Sequence, residues 1–176
     1  MSKSRKMLSN TDIPAVEALF KLIPAQSKAT VANWAVGYAE RSFVSIWSAH
    51  YPDDTRPQDA LAAARACLEG KIKLTELKAQ LSQCRGIAHD ADDSPAAQAA
   101  VRAIVDCATG AVYNPSKSIG IALYGALAVA YHKLGATAPW AQLELLATQE
   151  CALMLAALQA VAIENEPNPC KVSWVC

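Results

Sequence analysis

Charged side chains gather at two places in this sequence, and each gathering has residue types that can do chemistry. The first holds Glu40 and Arg41, then Asp53, Asp54 and Arg56, and one helical stretch later Arg65. Adjacent carboxylates share acid and base work only where their surroundings drive their pKa values apart, and neighbouring loop Asp residues are ordinarily both solvated and ionised. The structural reading of the same residues is a carboxylate that accepts the free amides of a helix start, with a guanidinium completing an ion pair. Such a corner would lock a turn between two helices. A polar recognition edge or a catalytic pair is the alternative.

The second gathering is His89, Asp90, Asp92 and Asp93, types that suit a divalent cation. An i, i+4 pairing of His89 with Asp93 needs a helix that continues, and Pro95 argues that it has ended, so a solvated acidic turn is expected. His50 and His132 stand alone in the sequence, each near an expected helix end where an imidazole caps carbonyls. There is no HExxH, no GxSxG, no phosphate-binding loop and no dinucleotide fingerprint. A Cys–His pair stays open, because such pairs meet in space rather than in sequence. The sequence assigns no catalytic residue, no cofactor and no metal.

Six cysteines (Cys67, Cys84, Cys107, Cys151, Cys170 and Cys176) occur without CxxC spacing. Lys3, Arg5 and Lys6 are followed by Ser9, Asn10, Thr11 and Asp12 rather than by the apolar run of an export signal, so cytoplasmic location and reduced thiols are expected. Four of the cysteines fall in helical patterns as small hydrophobes; Cys170 and Cys176, in a polar tail, are the candidates for exposure.

The elements that would position these groups are helices. Of 176 residues, 53% are hydrophobic and 18% charged, enough for one packed domain, and about a fifth are Ala. Sixteen basic and sixteen acidic side chains cancel, which argues against a protein held to nucleic acid by phosphate neutralisation. The longest uncharged apolar stretch, 119–131, is too short to cross a bilayer, so no membrane partner is expected. Apolar residues at three- and four-residue spacing place helices over 12–23, 27–50, 57–70, 72–91, 96–113, 118–134 and 139–165. Thr55 and Gln58 have capping-box spacing ahead of the third, Ser94 caps the fifth, and the uncharged sixth reads as the central one. The expected architecture is an all-α, single-domain bundle of six to eight mostly antiparallel helices over 12–165, with a flexible 1–11 and a tail at 166–176.

The segments Tyr38-Ala39-Glu40-Arg41, Tyr51-Pro52-Asp53-Asp54-Thr55-Arg56-Pro57-Gln58-Asp59-Ala60-Leu61, Ala63-Ala64-Arg65-Ala66 and Glu69-Gly70-Lys71-Ile72 resemble, in order and spacing, the signature of a bacterial immunity-protein family. This is the immunity protein five-like domain of polymorphic toxin systems. The resemblance is close over about a fifth of the chain, looser through the Ala-rich helices, and departs at 112–117. It implies an all-helical cytoplasmic protein that neutralises a partner toxin by binding, without catalysis. Glu40, Arg41, Asp53, Asp54, Arg56, Pro57 and Arg65 carry over as signature positions, structural or binding. The alternatives are an enzyme using the Asp53/Asp54/Arg56 corner and a self-associating helical scaffold, the latter favoured by the apolar surplus and by Trp174.

Overall fold

The computed structural model describes residues 4–174, within which there are seven α-helices and no strand. α1 (Pro14–Leu22) runs into a short 3-10 turn (Ile23–Ala25) at Pro24. α2 (Lys28–His50) starts where the Ser27 hydroxyl accepts the Thr30 amide at 3.3 Å, and stops ahead of Pro52, which disfavours helical geometry in the residue before it. α3 (Arg56–Leu68) closes at Gly70, whose φ of 73° a side chain would resist. α4 (Leu74–Asp90) begins with the Glu76 carboxylate accepting the Lys73 amide at 3.2 Å. α5 (Pro95–Val112) has Ser94 as its cap, the hydroxyl accepting from the Ala97 amide at 3.3 Å.

The hub of the bundle is α5, not the sixth helix. Fifteen of its eighteen residues are buried, and it packs against α2, α3, α4 and α6 (Ala126–Leu134). A helix buried nearly all round belongs at the centre. Its alanines let neighbours approach from every side, while Arg102 and Asp106 give it the look of a surface helix in sequence.

The expected sixth helix, 118–134, is three pieces: a 3-10 turn (Pro115–Ile119), a π turn (Ile121–Gly125) and α6. Two glycines explain the irregularity. A Cβ on Gly120 would overlap the Asp106 carboxyl, and one on Gly125 would overlap the ring of fully buried Phe43. The widened turn also leaves the Leu123 carbonyl to accept the Leu8 amide at 2.8 Å.

Asp106 sits at this junction, and burial pushes its carboxyl up to about 6 against the opposing pull of Lys117 and Arg85. The folded protein therefore holds this proton more tightly than the unfolded chain, so stability falls as pH rises from about 4 to about 6 and stays lower above. Asp106→Asn is expected to remove that dependence, raising stability at pH 7 by up to about 3 kcal/mol and changing it little at pH 4. Urea unfolding at the two pH values measures it.

α7 (Trp140–Val161) ends four residues earlier than the spacing predicts, because Ala162 is extended and Asn165 takes a φ of 53°. Leu143, Ala147, Met154 and Leu158 pack inward as expected and Trp140 and Leu146 are half-buried, but Val161, at the frayed end, is 49% exposed. Two buried hydrogen bonds fasten α7 to α2: Tyr38 Oη donates to Glu150 Oε1 at 2.6 Å, and Trp34 Nε1 donates to the Met154 carbonyl at 3.0 Å. By length and composition α7 is apolar enough to cross a membrane, although Glu144 and Glu150 keep it out of the uncharged stretches of the sequence.

Both terminal segments dock through their described residues, 4–11 and 166–174. The expected flexible 1–11 has Leu8 fully buried, Arg5 stacked over Trp140 at 3.9 Å, and the Arg5 carbonyl accepting the Tyr131 hydroxyl at 2.9 Å. In the tail, Glu166 accepts from the Ser27 amide at 2.6 Å, the Ser27 hydroxyl at 2.7 Å and the Thr30 hydroxyl at 2.6 Å, a carboxylate at the positive end of α2. Buried Gln26 exchanges both hydrogen bonds with the Ile163 backbone, and Trp174 stands edge-on to Phe20 at 4.6 Å. The Thr30 and Ser27 donors hold the Glu166 carboxyl below the usual range. Its contribution is thus present above about pH 4.5 and lost as pH falls through the lowered folded value. Glu166→Ala is expected to free the tail at pH 7, red-shifting the emission of Trp174, read as the difference from a Trp174→Phe control.

Candidate functional site

The signature residues all lie on the hairpin of α2, the 51–55 turn and α3. Its two helices are antiparallel, and the cross-links fix the register: Gln58 Nε2 donates to Ser48 Oγ at 3.0 Å near the turn, and Arg65 reaches Glu40 two helical turns further on. That second link is a two-pronged ion pair, Nε to Oε1 at 2.8 Å and Nη2 to Oε2 at 2.7 Å. Gly37 leaves room for the Arg41 guanidinium, which would stand 3.2 Å from an added Cβ, whereas Arg65 would only be in ordinary contact with it.

At the turn, Asp54 does the capping. Its Oδ1 accepts the Arg56 amide at 3.1 Å and Arg56 Nε at 2.9 Å, its Oδ2 accepts Arg56 Nη2 at 2.6 Å, and its backbone carbonyl accepts Trp47 Nε1 at 2.9 Å. The expected Thr55/Gln58 capping box does not form, because Gln58 turns back to α2 and the Thr55 hydroxyl donates to Asp59 at 2.9 Å. Arg56 beside Asp54 holds that carboxyl below its usual range, which makes it a poor proton donor at neutral pH. Pro57 is buried in the first turn of α3, where its missing N–H leaves no gap.

Asp53 and Arg41 differ from the other charged signature residues. Both are exposed, and among the described residues neither has an ion-pair partner; Arg41 lies 6.0 Å over the Tyr38 ring. Shallow grooves flank the hairpin, one lined by residues 50–56 and one between α3 and α4, and Arg56 borders both.

The acidic turn is more tied down than expected. Asp93 accepts the Tyr51 hydroxyl at 2.7 Å and Asp92 accepts Gln98 Nε2 at 2.8 Å, while His89 is left exposed at the end of α4. Among the described residues no group of three His, Cys, Asp or Glu could hold a metal ion. His50 and His132, isolated in sequence, come within 6.5 Å of each other beside Asp93 and Ser94. Neither forms the expected carbonyl cap among the described hydrogen bonds; the Tyr51 and Gly135 amides take the carbonyls of Trp47 and Tyr131 instead.

Cys84, Cys107, Cys151 and Cys170 are buried free thiols and Cys67 is half-buried. Burial pushes Cys84 up to about 11 and Cys151 to about 12, so neither is a thiolate at neutral pH. The expected exposure of Cys170 is overturned: the residue is buried, and its amide donates to the Gln26 carbonyl at 2.7 Å. Cys176 lies outside the described residues. Sequence reasoning missed Glu150, Asp106 and Glu166, single acids within apolar or irregular text whose partners are distant in the chain.

The model of the family described as Imm-5 like putative immunity protein matches residues 21–161, and the chain belongs to that family. The match takes in the whole hairpin and the α5 hub behind it. No curated protein and no solved structure matches the chain.

Proposed function

We propose that this chain neutralises a partner toxin by binding it in the bacterial cytoplasm, through the outer edge of the α2–α3 hairpin. The observation that carries the reading is the family match over 21–161. The geometry supports a division of labour within the signature. Glu40, Asp54, Arg56 and Arg65 spend their charge on one another and set the hairpin's shape, whereas Arg41 and Asp53 have charge left for a partner. A rigid edge with preset charges lowers the ordering cost of association, and the unpaired charges select the partner.

Coexpression with each product of the adjacent genes that arrests growth on its own tests the proposal. The chain should restore growth, and the Arg41→Glu/Asp53→Lys double variant should lose that protection while melting within about 2 °C of the parent, because exposed unpaired charges carry little stability. Continued growth arrest with the unaltered chain present would overturn it.

A further inference from the structure

We propose that the face shared by α4, α5 and the 115–125 segment is a docking surface for an acidic segment of a partner protein. After Pro95 the only residues of α5 that are not buried are Arg102 and Asp106, and exposed Tyr113 continues their stripe at the helix end. The hub helix reaches solvent there. Beside it α4 runs antiparallel: Lys78 Nζ stands 5.1 Å over the Tyr113 ring, and Arg85, seven residues further along α4, pulls on the carboxyl of Asp106, seven residues back along α5. One register accounts for both pairings. Leu74, Lys78 and Arg85 share an exposed stripe of α4. From the 115–125 segment, Gly120 packs directly against the Asp106 carboxyl, and the exposed Lys117 pulls on the same group.

Charge decides what the face accepts. Although the whole chain has no net charge, over 77–88 and 95–125 the charged residues are Lys78, Arg85, Arg102 and Lys117 against Asp106 alone. None of the four cations forms an ion pair among the described residues. Four unpaired cations around one half-buried carboxyl make a positive surface, and complementary potential selects an anionic partner.

The spread of the patch favours a peptide segment. Arg102 to Tyr113 covers about 16 Å of helix, more than one small anion spans and close to the length of about five residues of extended chain. Tyr113 and Leu74 are exposed among the cations, and tyrosine, arginine and apolar side chains together make up protein-binding surfaces. A single-stranded nucleic acid needs open aromatic faces for its bases. Here the Lys78 ammonium already lies over Tyr113, and Tyr124 is half-buried. The inference does not rest on the toxin-binding proposal, since these residues lie outside the α2–α3 hairpin.

Fluorescence anisotropy of labelled hexaglutamate titrated with the full chain, at about 20 and about 200 mM salt, tests it. Saturable binding is expected at low salt, weakened by about tenfold or more at high salt. Arg85→Glu/Lys117→Glu should weaken it by about tenfold or more with an unchanged circular dichroism spectrum; Arg85→Gln/Lys117→Gln is the second variant should the first disturb folding. Asp106→Asn removes the opposing charge and should tighten binding about threefold at pH 7.5. Arg41→Glu/Asp53→Lys should leave it within about twofold, which separates a failure here from a failure of the toxin-binding proposal. No saturation by the unaltered chain, or affinity that both Arg85/Lys117 variants leave intact, would overturn the proposal. So would displacement of the peptide by an equal concentration of inorganic phosphate, which would make the face a small-anion site, or tighter binding of hexathymidylate than of the peptide, which would make it a nucleic-acid surface.

Discussion

Gly125→Ala is expected to lower stability by about 3 kcal/mol, the upper part of the range for overpacking a filled core, and the melting temperature by roughly 6–12 °C for a chain of this size. The added methyl group would overlap the Phe43 ring, and Phe43 is fully buried. Neither side can yield easily. The ring is packed beneath α2, and Gly125 is held in the π turn that carries the chain into α6. Gly86→Ala is the matched control, because nothing lies within 4 Å of its added carbon and α4 gains helix propensity there. Thermal melts of the two variants should therefore move in opposite directions.

Tyr38→Phe is expected to cost about 2–3 kcal/mol, the range for a hydrogen bond to an ionisable partner whose loss leaves a buried polar group unmet. The hydroxyl sits 2.6 Å from Glu150, which is 7% exposed, and burial together with that carboxylate raises the phenol's pKa. A hydroxyl this reluctant to ionise acts as a fixed donor. Adding Glu150→Leu to Tyr38→Phe should recover part of the loss, since the apolar replacement removes the unmet carboxylate. Urea unfolding of the two single variants and the double variant gives the coupling; a Tyr38→Phe loss under about 0.5 kcal/mol would mean that the bond carries no net stability.

Tyr38 also shows what the sequence made legible. Helical spacing placed it on the buried stripe of α2, and the signature placed it beside Glu40 and Arg41, but nothing local to Tyr38 announces a carboxylate on α7. The same holds throughout the chain. Helix starts at Ser27 and Ser94 were readable because capping is local chemistry, and the seven helical segments were readable from periodicity. The π turn was not, because the Phe43 ring that fills the space beside Gly125 comes from α2, far away in the chain. Charge count does not locate the hub, because on α5 alanines rather than large side chains admit the neighbours. At the hairpin, residue types foretold an ion-paired corner, and the structure supplies the division that types alone could not: Asp54 is spoken for by Arg56 and Glu40 by Arg65, while Asp53 and Arg41 are not.

Calorimetric titration of the purified chain into the purified products of the genes adjacent to its own, screened first for growth arrest on expression, tests the central claim most directly. Saturable binding is expected, weakened at least a hundredfold by Arg41→Glu/Asp53→Lys and strengthened at low salt, as for an interface steered by unscreened charge. An absence of binding by the unaltered chain, or equal affinity in the double variant, would contradict it.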